Sequence, residues 1–360
     1  MHKVAKNKGR GDAMIGIKEF GILQDGRKAF LYTITNAKGN SVSITNYGGR
    51  VVNLCIHDKS KKLRDVVLGY DNVQDYENDK HYLGATVGRY ANRIAGGQYT
   101  IGNQTYQTTT NDGENTLHGG IEGFDKVLWE ASVRGQEGNE TLTLMHRSVD
   151  GDQGFNGTLD IIVEYCFTND DAFIMDTFAT CDQTTVCNLC NHTYFNLDGE
   201  GSTLFYHKVR VFANSITEID EQLCPTGSYL TVNGALDLRK GRQLRTIRSR
   251  HPLIKQTGGY DFNYCINNRD GAEFRKAATV KSLNSGIKMD VFTTKPGIQF
   301  YTGNSLDGFY GKGHTAYKKH SGFCLETQFY PDSPNKAIFP SALLVKGNRY
   351  IHRTIYQFDK

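Results

Sequence analysis

No run in this 360-residue chain approaches the roughly 18 consecutive apolar residues of a membrane span, which excludes a helical membrane protein. Charge of one sign is scarce as well. Lys+Arg 42 against Asp+Glu 38 leaves +4, too small and too dispersed for a nucleic-acid partner, so a small neutral ligand is expected. Behind the basic, polar stretch from Met1 to Arg10 there is no apolar segment of the kind an export signal carries, and a cytoplasmic protein is expected. Helical periodicity is almost missing; only Val73 to Lys80 suggests a turn or two. Proline occurs six times, and no low-complexity linker or internal repeat breaks the chain.

What the chain has instead is 39 glycines, 20 tyrosines and 19 phenylalanines, the composition of short strands joined by glycine turns. Alternating runs predict strands at Phe30 to Ile34, Ser41 to Thr45, Val51 to Ile56, Asp65 to Leu68, Leu142 to Met145, Ile161 to Phe167, Phe173 to Phe178, Val209 to Phe212 and Phe262 to Ile266. Tyr99 to Tyr106 reads as a hairpin in which Gly102 supplies the positive φ of a two-residue turn. Residues 1–15 are expected to form a flexible leader and residues 16–360 a single all-β domain, a sandwich or barrel. Eight cysteines in such a chain are expected to be reduced, buried thiols. Cys187 and Cys190 have C-x-x-C spacing, but i and i+3 in a strand face opposite ways and would not share a zinc or a bridge. The basic run from Arg239 to Arg250 is expected to be a solvated loop.

Candidate chemistry begins at Leu189 to Leu197. An extended Cys190 to Asn196 would put Cys190, His192, Tyr194 and Asn196 on one face. In Gly322 to Gln328, Phe323 and Leu325 make a core face and turn Glu326 and Gln328 the other way. Pro296-Gly297 suits a type II turn, and the strand after it presents Gln299 and Tyr301, amide and phenol groups that suit sugar hydroxyls and C–H faces. Gly88 to Ile94 carries Asn92 and Arg93, and Glu114 to Gly120 carries His118 beside a Gly-Gly pair that permits close backbone approach. Taken singly, His192 could be a hydrogen-bonded structural histidine, Glu326 a surface strand residue and Arg93 an ion-pair partner. His118, His192 and Glu326 could form a facial metal triad, yet no local His-x-His or His-Glu-x-x-His pairing supports one.

Together these segments resemble the aldose 1-epimerase (galactose mutarotase) family. The resemblance runs from about Asn46 almost to the C-terminus through Asn46-Tyr47-Gly48-Gly49, Asp65 to Tyr70, Gly88 to Ile94, Asn115 to Gly120, Gly123 to Asp125, Trp129, Asp150 to Phe155, Asn191 to Leu197, Gly258 to Asp261, Pro296 to Asn304 and Leu325 to Gln328. It implies a large antiparallel β-sandwich with few short helices, an open sugar cleft, no metal and no organic cofactor. It further implies His192 as general acid and Glu326 as general base, His118 in support, and Asn92, Arg93, Asp261, Gln299 and Tyr194 around an aldose such as galactose or glucose. A monomer or weak homodimer is expected. Asn156, Arg50, Cys187 and Cys190 depart from the family's commoner residues.

The implied reaction opens a hemiacetal, rotates about C1–C2 and recloses on the other face. If Glu326 takes the O1 proton, His192 must carry one near neutrality, and the carboxylates of Glu326 and Asp261 are expected to favour that charge. Two further readings use the same residues: a mutarotase for hexose 6-phosphates, which needs a basic pocket at the cleft edge, and a non-catalytic carbohydrate-binding protein. A glycoside hydrolase casting Asp261 and Glu326 as its carboxylate pair would leave the histidines idle.

Overall fold

The computed structural model describes residues 14–135, 140–268, 271 and 273–359. Antiparallel strands dominate its regular structure, as the alternating runs require. A nine-stranded sheet runs from Glu130–Arg134 through Thr141–Ser148, Leu159–Phe167, Ala172–Cys181, Tyr350–Asp359, Lys288–Thr293, Arg275–Ser282 and His207–Val211 to Arg242–Gln243. A six-stranded sheet orders Tyr194–Phe195, Phe323–Gln328, Gly297–Tyr301, Asp261–Ile266, Ala213–Ile219 and Pro225–Thr231, and a five-stranded sheet begins with Met14–Ile22. The α-helices among the described residues are Val73–Glu77 and Pro252–Thr257, neither long nor apolar enough to cross a membrane.

The two larger sheets pack face to face, as in a β-sandwich. Phe262, Phe300, Phe323 and Leu325 point into one core with Val163, Phe173, Met175 and Tyr356 from the opposite sheet. At the contact, the Phe195 and Tyr356 rings lie 5.0 Å apart and the Tyr356 hydroxyl donates to the Leu325 carbonyl at 2.9 Å. Removing a buried aromatic from such a core costs about 3–5 kcal/mol. Strand alternation then turns every second residue of the six-stranded sheet outward, which gives that sheet its polar face.

Several expectations meet the structure at a different place. The leader expected at 1–15 lies outside the described residues up to 13, whereas Met14 and Ile15 already belong to the first strand. Asp65 to Leu68 is not a strand; pairing covers Leu63–Asp65, and Val67 makes a lone bridge to Phe195. Pro296-Gly297 is not a type II turn either, because Gly297 opens a strand with no positive φ. Its glycine serves proximity: a Cβ there would stand 2.6 Å from Asn263 Oδ1 and 2.9 Å from the Tyr330 ring. Gly102 does adopt φ +60° between Gln98–Ile101 and Gln104–Gln107, as the hairpin demands.

Two of the unusual residues are structural. The buried Asn156 donates its backbone N–H to the Tyr99 hydroxyl at 3.2 Å and accepts from it through Oδ1 at 2.8 Å; a residue without an amide hydrogen could not close that ring. Arg50 is fully buried between Asp79 and Asp125. All eight cysteines are free thiols, Cys187 and Cys190 included.

Candidate active site

Register places most of the site. Glu326 stands opposite Gln299, and Gln299 opposite Asn263, in one cross-strand row; the next row reads Tyr194, Cys324, Tyr301 and Asp261. Since all project from the face turned away from the main core, one sheet delivers two carboxylates, two amides, two phenols and a thiol to a single surface. Gln299 Nε2 donates to Asp261 Oδ1 at 2.6 Å and Gln299 Oε1 accepts from Gln328 at 3.3 Å, so the amide cannot rotate freely.

His192 arrives by a different route from the one alternation suggests. The segment from Cys190 to Asn196 is not one strand: Cys190–Asn191 pairs with Thr86–Val87, Tyr194–Phe195 pairs with Phe323–Cys324, and His192 lies in the break between them. Its backbone is clamped by the Ala85 carbonyl at 2.8 Å and the Gly84 amide at 3.1 Å. Asn196, past the end of the Tyr194–Phe195 strand, leaves the site face and binds the Ser202 and Ser321 carbonyls. His192 and Tyr194 still share the cavity.

Asn92 and His118 hold each other through backbone bent into the left-handed region, at φ +61° and +52°. The His118 amide donates to the Asn92 carbonyl at 3.0 Å, and the Asn92 amide donates to His118 Nδ1 at 3.2 Å. An Nδ1 that accepts must carry a lone pair, so the neutral ring bears its proton on Nε2 and offers a donor. Gly119 makes the approach possible, because a Cβ there would lie 1.9 Å from the Gly88 carbonyl oxygen. Arg93 is at once an ion-pair partner, with Nε 2.7 Å from Asp112 Oδ2, and a wall of the cavity.

These residues line one cavity of about 320 Å³, within the range of small-molecule sites. His118, His192, Glu326, Asn92, Arg93, Asp261, Gln299 and Tyr194 all border it. Tyr82 and Leu223 do too, and no motif marks either one. Their signal is conformational: both are non-glycine residues at positive φ, +57° and +62°, a strained state costing of order 1–3 kcal/mol that collects at functional sites. The Tyr82 ring lies 4.7 Å from that of His118 and 6.0 Å from that of His192. The basic run 239–250 contributes nothing to the lining; Arg245 and Arg248 instead cover the Tyr206 and Phe205 rings.

His192 Nε2 is 3.7 Å from Glu326 Oε1, and both side chains are buried. Burial pushes the Glu326 carboxyl up to about 8, with the Asp261 charge adding to the rise, and pushes His192 down to about 4. This corrects the expectation that Glu326 and Asp261 would hold a proton on His192: desolvation is the largest effect there, Asp79 is the carboxylate that opposes it, and the pair's proton rests on Glu326. Burial also lowers His118 well below the usual histidine range, helped by His192 and Arg93, which leaves its Nε2–H as a neutral donor. Asp261 is raised by burial, against the opposing pull of Arg93.

The ligand atoms of His118, His192 and Glu326 lie within 4.8 Å of one another, close enough for a metal ion. The donor set does not fit one. A ligating histidine needs a lone pair on the ligating nitrogen and donates from the other, whereas His118 accepts at Nδ1 and so carries hydrogen on the nitrogen a cavity ion would require.

A family profile described as aldose 1-epimerase matches residues 31–357, starting earlier than the Asn46 motif. Galactose mutarotase from Mus musculus is 42% identical over 322 residues, covering 89% of this chain and 91% of that protein. Aldose 1-epimerase from Escherichia coli K12 is 34% identical over 337 residues, 93% of this chain and 96% of that protein. The crystal structure of an aldose epimerase homologue from C. elegans superposes with a TM-score of 0.82 at 29% identity, covering 96% of this chain and 99% of that one. By sequence along nearly its whole length and by architecture, this chain belongs to the aldose 1-epimerase family.

Proposed function

We propose that the chain acts on aldoses such as D-galactose and D-glucose through His192 and Glu326. Family membership makes it a mutarotase, an isomerase acting on a sugar. The observation that carries the residue assignment is the 3.7 Å gap between His192 Nε2 and Glu326 Oε1 inside a cavity walled by sugar-compatible groups.

Between about pH 4 and 8 the pair holds one proton, which is what the reaction needs. Anomerisation removes a proton from O1 and delivers one to the ring oxygen, then reverses both transfers on closure. For these roles the proton crosses from Glu326 to His192 in the sugar complex, where hydrogen bonds from the sugar hydroxyls stabilise the ion pair that burial alone disfavours, leaving a carboxylate to take the O1 proton and an imidazolium to protonate the ring oxygen. General acid–base catalysis of this kind is worth about 10²–10⁴-fold. His118 Nε2–H and Arg93 offset charge developing on oxygen, and Asp261 with Gln299 holds hydroxyls.

The hexose 6-phosphate reading draws little support. Among the described residues of the lining, the permanent cations are Arg93, bound to Asp112, and Lys80 at the exposed rim. A binding-only protein would have no use for a buried acid–base pair that evades ion pairing. Polarimetry on freshly dissolved α-D-galactose, α-D-glucose and glucose 6-phosphate tests all of this. Glu326→Gln and His192→Asn should each lose at least about 10²-fold and glucose should exceed its phosphate; near-wild-type rates in both folded variants would overturn the assignment.

A further inference from the structure

Glu326 is a buried carboxyl that makes few hydrogen bonds. Among the described residues, the donor bonded to it is the Cys190 thiol, with Sγ 3.5 Å from Oε2. Around it stand His192 at 3.7 Å through Oε1, His118, Asp261, Cys324 on its own strand and, on the strands packed against it, Tyr194 and Tyr356. None of these is a permanent cation. Lys295, lowered by burial to about 8, is turned to the Leu189 and Thr327 carbonyls and acts on Cys190 rather than on Glu326.

Cys190 cannot move away from the carboxyl. Its backbone is paired with Val87 and its side chain is buried. Burial also lifts its thiol well above the ordinary range, so the sulfur keeps its hydrogen and remains a donor. A thiol is a weak donor, however, whereas a carboxylate given two or three strong donors can fall below pKa 2.

We propose that Cys190 is a positioning residue that sets the proton affinity of Glu326, and thereby the alkaline limit of catalysis. This rests on the reading of Glu326 as the proton-transferring carboxyl. The soft S–H bond steers Oε2 and leaves Oε1 to His192 without stabilising the anion strongly enough to strip the shared proton at neutral pH. Cys324 makes the parallel contact on the other partner, 3.5 Å from His192 Nδ1.

Exchange of the single atom tests it. Cys190→Ser supplies a harder donor and should move the alkaline limb of the kcat/KM profile down by about 0.3–1 unit; Cys190→Ala removes the donor and should move it up by several tenths. The infrared carboxyl band of the sugar-free protein, assigned by its loss in Glu326→Gln, should titrate in the same order, serine below cysteine below alanine. A fall in rate with an unmoved limb and an unmoved band, or a shift of the same sign in both variants, would overturn the proposal. Because the infrared titration needs no turnover, a wild type that failed to accelerate mutarotation would sink the functional reading and leave this ordering to be judged by itself.

Discussion

Two buried charge clusters lie close together in this molecule and are built on opposite principles. Around Arg50 every group is paired: Nη1 reaches Asp79 at 2.7 Å and the Leu83 carbonyl at 3.0 Å, and Nη2 reaches Asp125 at 3.3 Å. Asp79 in turn receives the amides of His81 and Leu83. Around Glu326 almost nothing is paired. The first cluster keeps its charges at neutral pH because pairing offsets much of the desolvation, although burial still raises Asp125 to about 6; the second gives its charge up, and two neutral groups with displaced proton affinities result. Paired burial makes scaffold, and unpaired burial makes a reactive site. The two are also linked mechanically, since the Asp79 to Leu83 loop that Arg50 anchors carries Tyr82 into the cavity.

Breaking the paired cluster should have the largest effect. Arg50→Met leaves two buried aspartates uncompensated and should cost about 3–5 kcal/mol in urea unfolding; a loss under 1 kcal/mol would show that the pairing is not what holds the loop. The unpaired cluster should respond with the opposite sign. Glu326 has a raised folded value, so its contribution favours folding below the unfolded carboxylate range and is lost as pH rises from about 4.3 through about 8. Glu326→Gln should therefore gain on the order of 1–3 kcal/mol over wild type at pH 8, and little at pH 4. Equal melting temperatures at pH 8 would contradict the raised value.

Smaller effects sharpen the contrast at the cavity wall. Asp261→Ala should raise KM about 10-fold with a lesser change in kcat, the signature of a lost hydroxyl contact worth about 1.5–3 kcal/mol; unchanged KM would remove Asp261 from sugar binding. Leu223→Gly should stabilise the fold by up to about 1 kcal/mol by relieving positive φ, yet weaken sugar binding. A glycine variant that binds as well as wild type would make the strained leucine a matter of loop geometry alone.

Much of the site was legible before any coordinates. Alternation in Phe323–Gln328 and Gly297–Tyr301 correctly turned Glu326 and Gln299 away from the core, because strand parity depends only on neighbouring residues. The same rule failed at Asn196, which lies past the last paired residue, Phe195, and is held instead by the Val66 carbonyl. It also failed at Pro296-Gly297, where the glycine answers to the Tyr330 ring rather than to a turn. Tyr82 and Leu223 were invisible, since nothing local distinguishes a residue that the surrounding fold forces into the left-handed region.

By itself the sequence determined the antiparallel β architecture, the family and most of the polar groups that border the cavity, all of which follow from local periodicity and from motifs read in order. Where the proton resides was decided only by tertiary structure. Residue types suggested a charged histidine beside carboxylates; folding removes water from both, and desolvation becomes the largest effect on each, leaving the proton on Glu326 with a thiol as its bonded donor.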